Sequence, residues 1–315
     1  MGRLRSDVFE WFDAGRVVPG AEREVLGAAG MIPTGAEWRT FLGQLALWLG
    51  TLALAAAVIF FFAFNWDDLG RFAKLGIVES AIVAGLLVFW PLDLDGMAGK
   101  ALLLLLSLLV GALLALTGQI YQTGSDAFEL FAYWAVLILP WVLVARFSPL
   151  WLLWLALLNM AAYLYWQLSW DAEALIWTLF GLNTLALALW ETAHRRRLSW
   201  LRDTWPPRLV ALASGTMATA LIISAITVSD VLAPLAVAAY AAWLGALYYW
   251  YRHVRPDLFM LAGGVLSATV AVATFLSWQI LDLGSGGLLV IGLVVIAMSG
   301  GGAVWLQRIA REQPA

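Results

Sequence analysis

From residue 41 to the C-terminal tail, long apolar runs alternate with short polar connections, and the runs have hydrocarbon length. A bilayer core of about 30 Å needs about 20 apolar residues per helix. Ten windows qualify: Phe41 to Phe64, Ala73 to Trp90, Ala98 to Gly118, Ala127 to Val144, Leu150 to Leu168, Ala172 to Trp190, Leu209 to Thr227, Val231 to Tyr251, Leu258 to Leu281 and Leu288 to Leu306. Tryptophans gather near the window ends (Trp38, Trp66, Trp90, Trp151, Trp166, Trp170, Trp250, Trp305), where amphipathic rings settle at headgroup level. The pattern predicts an all-α, polytopic transmembrane helix bundle of about ten spans. The chain divides into an N-terminal helical hairpin (1–40), spans one to six (41–190), a basic loop (191–208), spans seven to ten (209–307) and a tail (308–315).

Charge orients these spans. All of the eighteen Lys and Arg residues except Arg71 and Lys74 fall on one side, which the positive-inside rule makes cytoplasmic together with both termini. Composition agrees: 63% hydrophobic and 12% charged, with a mean hydropathy of +0.86, is outside the balance of a soluble domain. The net charge of −3 says little, because it adds an arginine-rich face to a carboxylate-rich one. With no cysteine, disulfides, thiolate catalysis, iron–sulfur clusters and cysteine zinc sites are excluded. His194 and His253 both sit among arginines at cytoplasmic helix ends, a solvated or headgroup-facing setting rather than a metal site. No metal and no cofactor is expected.

The first forty residues carry charge throughout and lack the early apolar core of a cleavable signal peptide. Val8, Phe9, Trp11 and Phe12 precede Gly15, and a second short helix follows Pro19-Gly20, a hairpin that would anchor on the membrane surface or a partner through Trp11 and Phe12. Thr34 and Glu37 have capping-box spacing before the first span. In the basic loop, Arg195, Arg196, Arg197 and Arg202 suit an anionic lipid headgroup.

Two outer segments are the most distinctive: Phe61-Phe62-Ala63-Phe64-Asn65-Trp66-Asp67-Asp68-Leu69, and Thr117 through Leu130 with Gln119, Tyr121, Gln122, Asp126 and Glu129. Together with the Trp11 to Gly15 turn and Trp134, they resemble a family of bacterial polytopic membrane proteins, domain-of-unknown-function family 2157, most clearly over residues 8–145. The resemblance implies a membrane protein, placed in the bacterial inner membrane, and implies no activity.

The outer carboxylates have two readings. As caps, Asp67 and Asp68 would start the second span, Asp126 with Glu129 would box the fourth, and Asp171 and Asp230 would start the sixth and eighth. As a site, Asn65, Asp67, Asp68, Glu79, Gln119, Tyr121, Gln122, Asp126 and Glu129 would frame an outward polar vestibule for a cation or polyol, although no ordered ligand spacing is present. Glu79 stands apart, because it lies about two turns inside the second span, where an unpaired carboxylate is costly. It is expected either as a buried carboxyl bonded to a neighbouring helix or as a proton-coupling group.

Asn159 and Asn183 lie mid-span on consecutive antiparallel helices and should bond to each other. Gly263-Gly264 with Ser267, and Gly292 with Gly300-Gly301-Gly302, offer small surfaces for close approach of the last two helices, and Gly286-Gly287 reads as an outer turn. No Ser/His/Asp or Cys/His arrangement can be assembled, though an outward Asp67-Asp68 pair stays open. The arginine loops follow topology and lack interleaved aromatic platforms, so nucleic acid is not an expected partner. The function expected is binding or transport of a small molecule, ion or lipid-linked headgroup through the vestibule. The alternative is a non-catalytic scaffold or sensor subunit engaging a membrane-protein partner or a second copy through the hairpin and basic loop.

Overall fold

The computed structural model describes residues 2–18, 20–64, 69–93, 95–121, 124, 126–195, 201, 203–228, 231–280 and 285–312. Among these residues the chain is helical throughout, without strands, and forms two compact units, Met1–Leu116 and Thr117–Glu312.

The first unit begins with two short helices, α1 (Gly2–Asp13) and α2 (Glu22–Ala28). Gly15 and Gly20 in the link have φ of 65° and 94°, a backbone region that β-carbons disfavour. Val8 is buried, whereas Phe9 and Trp11 are exposed. The first long helix, α3 (Gly35–Phe64), opens on the expected capping box: Thr34 N–H donates to Glu37 Oε2 and Glu37 N–H donates to Thr34 Oγ1 at 3.2 Å. Next come α4 (Arg71–Phe89) and α5 (Met97–Tyr121), the latter running past the limit of the unit. Gly85 lets α4 approach α5, since a β-carbon there would stand 2.6 Å from Leu106 Cδ2. Leu103, Leu106, Ser107 and Leu109 make the buried side of α5.

The second unit holds α6 (Ala127–Ala145), α7 (Ser148–Ser169), α8 (Ala172–Arg195), α9 (Trp205–Thr227), α10 (Ala233–Tyr249), α11 (Leu258–Ile280) and α12 (Ser285–Glu312). A π-helical turn, Trp250–Val254, continues α10. The core is apolar, with Val210, Ala218, Ile222, Trp243, Leu247, Met260 and Leu261 packed together. Lipid tails are as apolar as these side chains, so helix association depends on close packing and on polar cross-links. The expected Asn pair is present: Asn183 Nδ2 donates to Asn159 Oδ1 at 2.6 Å and Asn159 Nδ2 to Asn183 Oδ1 at 3.2 Å. Ser214 on α9 lies 2.8 Å from the Thr184 hydroxyl of α8 and accepts the Trp243 indole N–H of α10 at 2.9 Å. Ser267 on α11 similarly meets Thr219 of α9 at 2.7 Å and Tyr240 of α10 at 3.0 Å. Four helices are therefore stitched by two hydroxyl junctions.

Nine helices are long and apolar enough to cross a membrane among the described residues. The tenth window corresponds to α10, which has only 17 residues and reaches further through its five-residue π-turn. Three expectations need correction. Asp126 stands at the N-cap of α6 without any side-chain cap bond, because only its backbone carbonyl accepts the Glu129 N–H. Gly286-Gly287 lies inside the first turn of α12 rather than in a connection. Of the small residues, Gly302 faces Val265 of α11 closely, but Gly264 faces Leu247 and Leu244 of α10, so the two stripes serve different neighbours.

Candidate functional site

In the first unit the residue of interest is Glu79, and the expectation of a buried carboxyl fails. Glu79 is exposed on α4, with Ser80 beside it and exposed Phe72, Val83 and Leu87 at helical spacing along the same side. At 1.5 Å per residue it lies roughly 12 Å from the start of the helix, near the middle of a hydrocarbon layer. Lys74, by contrast, is buried. The side of α4 that packs uses Lys74 and Val78, and the carboxylate at 79 falls outside that stripe.

Gln119, Tyr121, Asp126 and Glu129 belong to the second unit. Gln119, Tyr121 and Asp126 are exposed and Glu129 is half-buried, and among the described residues no side-chain hydrogen bond joins one of these four to another. Asn65, Asp67, Asp68 and Gln122 lie outside the described residues. Of the capping proposals, Asp171 holds, accepting the Ala174 N–H at 2.8 Å.

Sequence patterns gave no notice of a polar cluster at the arginine-bearing end of the second unit. Glu191, in the last turns of α8, is 4% exposed and accepts from three side chains that the π-turn delivers. Tyr251 OH donates to Oε1 at 3.0 Å, Trp250 Nε1 to Oε2 at 3.2 Å, and Arg255 Nη1 reaches both oxygens at 3.0 and 3.2 Å. The Arg255 N–H donates to the Trp250 carbonyl at 2.9 Å, five residues back, which is the bond that defines a π-turn. The wider turn lets adjacent residues 250 and 251 reach one carboxylate. A carboxylate buried here has its desolvation offset by these donors and by the Arg255 cation.

Two more ion pairs lie at this end. Arg208 forks onto Asp257 at 3.1 and 3.2 Å while Asp257 also accepts the Phe259 N–H of α11, and Arg252 pairs with Glu312 at the end of α12. Arg195 has no carboxylate among these pairs and lies over the Trp250 ring, 4.2 Å from its centroid. His194 Nδ1 donates to the Leu201 carbonyl at 2.8 Å, and His253 Nδ1 to the Tyr249 carbonyl at 3.3 Å. Arg196, Arg197 and Arg202 lie outside the described residues. Glu191 was hidden in the sequence because it opens the segment that topology marks as a basic loop. The signal available was an acid standing at the arginine-rich end of an apolar window.

Comparison with curated proteins and with solved structures returned no match. Residues 9–151, from within α1 to the first turn of α7, match the model of the family described as predicted membrane protein (DUF2157), so that segment of the chain is similar to this family.

Proposed function

We propose that the chain is a non-catalytic, multi-pass subunit of the bacterial inner membrane, with its arginine-rich end and both termini cytoplasmic, which docks a second membrane protein along the exposed side of α4. The observation that carries this is Glu79, exposed about two turns inside an apolar helix of membrane-spanning length. Facing lipid, an ionised carboxylate there costs several kcal/mol, about 2.5 to 3.5 on insertion scales. A donor at the same depth on another helix removes that cost. A second copy related by a two-fold axis along the membrane normal would set carboxylate against carboxylate, which disfavours shared ionisation. The partner is therefore a helix carrying a basic or amide donor. Exposed Phe9 and Trp11 of α1 and the basic loop add cytoplasmic or headgroup contacts. The test is cross-linking in intact membranes from a photoreactive residue at Val83: a defined heteromeric adduct should form, persist in Glu79→Asp and disappear in Glu79→Leu. An adduct at twice the chain mass, or one indifferent to Glu79→Leu, overturns the proposal.

A second reading is favoured by Asp126, whose exposed carboxylate is not used as a cap. Here Gln119, Tyr121, Asp126 and Glu129 of the second unit offer polar side chains to a cation or polar solute. In proteoliposomes this predicts solute or cation flux that Asp126→Asn lowers; flux that is absent, or unchanged by that substitution, removes it.

A further inference from the structure

The arginine-bearing end of the second unit opens onto a lengthwise groove. Between α8 and α10 lies a cavity of about 280 Å³ lined by Thr184, Leu187, Ala188, Thr192, Trp243 and Leu247, with Glu191, Trp250 and Tyr251 closing its end. From Thr184 to Arg195 the helix rises roughly 16 Å, close to the depth of one leaflet of a hydrocarbon layer about 30 Å thick. The wall is almost wholly apolar where it would meet lipid tails, and its two hydroxyl-bearing ends are engaged elsewhere: Thr184 with Ser214 and Thr192 with the Leu189 carbonyl.

Charge at the mouth selects the occupant. Arg255 is held by Glu191, Arg208 by Asp257 and Arg252 by Glu312. Arg195 is exposed and leans on Trp250, a residue of the groove wall, with its guanidinium facing no carboxylate in these pairs. Among the described residues at this mouth, three arginines are thereby paired and Arg195 is left above a leaflet-deep apolar slot. We propose that the α8–α10 groove holds an acyl chain of an anionic glycerophospholipid whose phosphate is bound by Arg195. Trp250 orients the guanidinium from beneath, and the Glu191–Arg255 pair fixes Trp250 through its indole N–H.

Native mass spectrometry of the detergent-purified full chain, titrated with phosphatidylglycerol or with phosphatidylcholine of the same acyl chains, tests this. One arginine near a lipid surface contributes about 1 kcal/mol, so phosphatidylglycerol should be retained about fivefold better than phosphatidylcholine. Arg195→Ala should erase that preference, and Ala188→Trp, which fills the groove, should lower retention of both lipids. Leu185→Trp, on the α7 side of α8, should leave retention unchanged. Equal retention of the two lipids by the wild type, or a preference that survives Arg195→Ala, overturns the proposal. Photoactivatable phosphatidylglycerol with a mid-chain diazirine tests the wild-type chain independently of folding effects: labelling should fall on the 184–192 or 243–251 peptide, and labelling confined to helices other than α8 and α10 also overturns it.

Discussion

The two units differ in how many of their described polar side chains cross-link helices. In α3 and α5 the hydroxyls of Thr40, Thr51 and Ser107 each bond to the carbonyl four residues earlier in the same helix, at 3.0, 2.8 and 2.8 Å. In α7 to α11 some hydroxyls, such as Thr216, Thr227, Thr269 and Ser277, do the same, but other polar groups also reach across: Asn159 to Asn183, Thr184 to Ser214, Thr219 to Ser267, and Trp166 Nε1 to Thr178. A hydroxyl that returns to its own backbone is satisfied without reference to a neighbour, whereas a cross-helix bond fixes rotation and depth of both partners. The second unit thus specifies its own packing. The first leaves Glu79 exposed on α4, together with Phe60, Phe72, Leu87 and Trp90, which is the surface the proposed partner would cover.

The contrast can be broken most forcefully at Glu191. Glu191→Leu leaves Arg255, Tyr251 and Trp250 without their acceptor, and removal of one partner of a buried ion pair costs about 3 to 5 kcal/mol. A large drop in unfolding midpoint in lipid nanodiscs is expected, against a small one for Glu79→Leu in the isolated chain. Comparable losses at both positions would erase the distinction between the units. Next in size is Gly302→Val, because a β-carbon at 302 would stand 2.5 Å from Val265 Cγ1, and such overpacking costs about 1 to 3 kcal/mol. Gly300→Val, with open space around it, is the control, and steric trapping of unfolding in bicelles reads both. A double-mutant cycle on Asn159→Ala and Asn183→Ala should return a coupling of about 0.6 to 1.7 kcal/mol. Smallest is Thr51→Val in the first unit, expected within about 0.5 kcal/mol because its bond is intrahelical; a loss matching the Asn coupling would show that α3 is locked as firmly as α8.

The helices were legible because hydrocarbon thickness imposes a length that apolar composition must meet, and every expected window has its helix. The Asn159–Asn183 bond was legible for a related reason: two amides at one depth on antiparallel neighbours have few other partners. Thr34–Glu37 shows that local capping can be read directly, while Asp126–Glu129 has the same spacing and forms no side-chain bond. Spacing permits a cap, but the rotamer and the rest of the loop decide it. The Glu191 cluster was not legible, since Arg255 had already been assigned to topology and the π-turn in Trp-Tyr-Arg-His-Val has no periodic signature. Depth from the sequence located Glu79, but which side of α4 packs depends on neighbours such as Leu106 facing Gly85.

The π-turn has a consequence for chain length. Removing His253, an exposed residue of that turn, would turn the five-residue bond from the Arg255 N–H to the Trp250 carbonyl into an ordinary four-residue α bond and leave Arg255 on the side of Glu191, whereas an insertion of one residue would swing it away by about 100°. At this point the chain carries one residue more than an α-helix needs, so it absorbs a single-codon deletion more readily than a single-codon insertion, at the cost of the His253 ring contacts with Tyr248 and Tyr249.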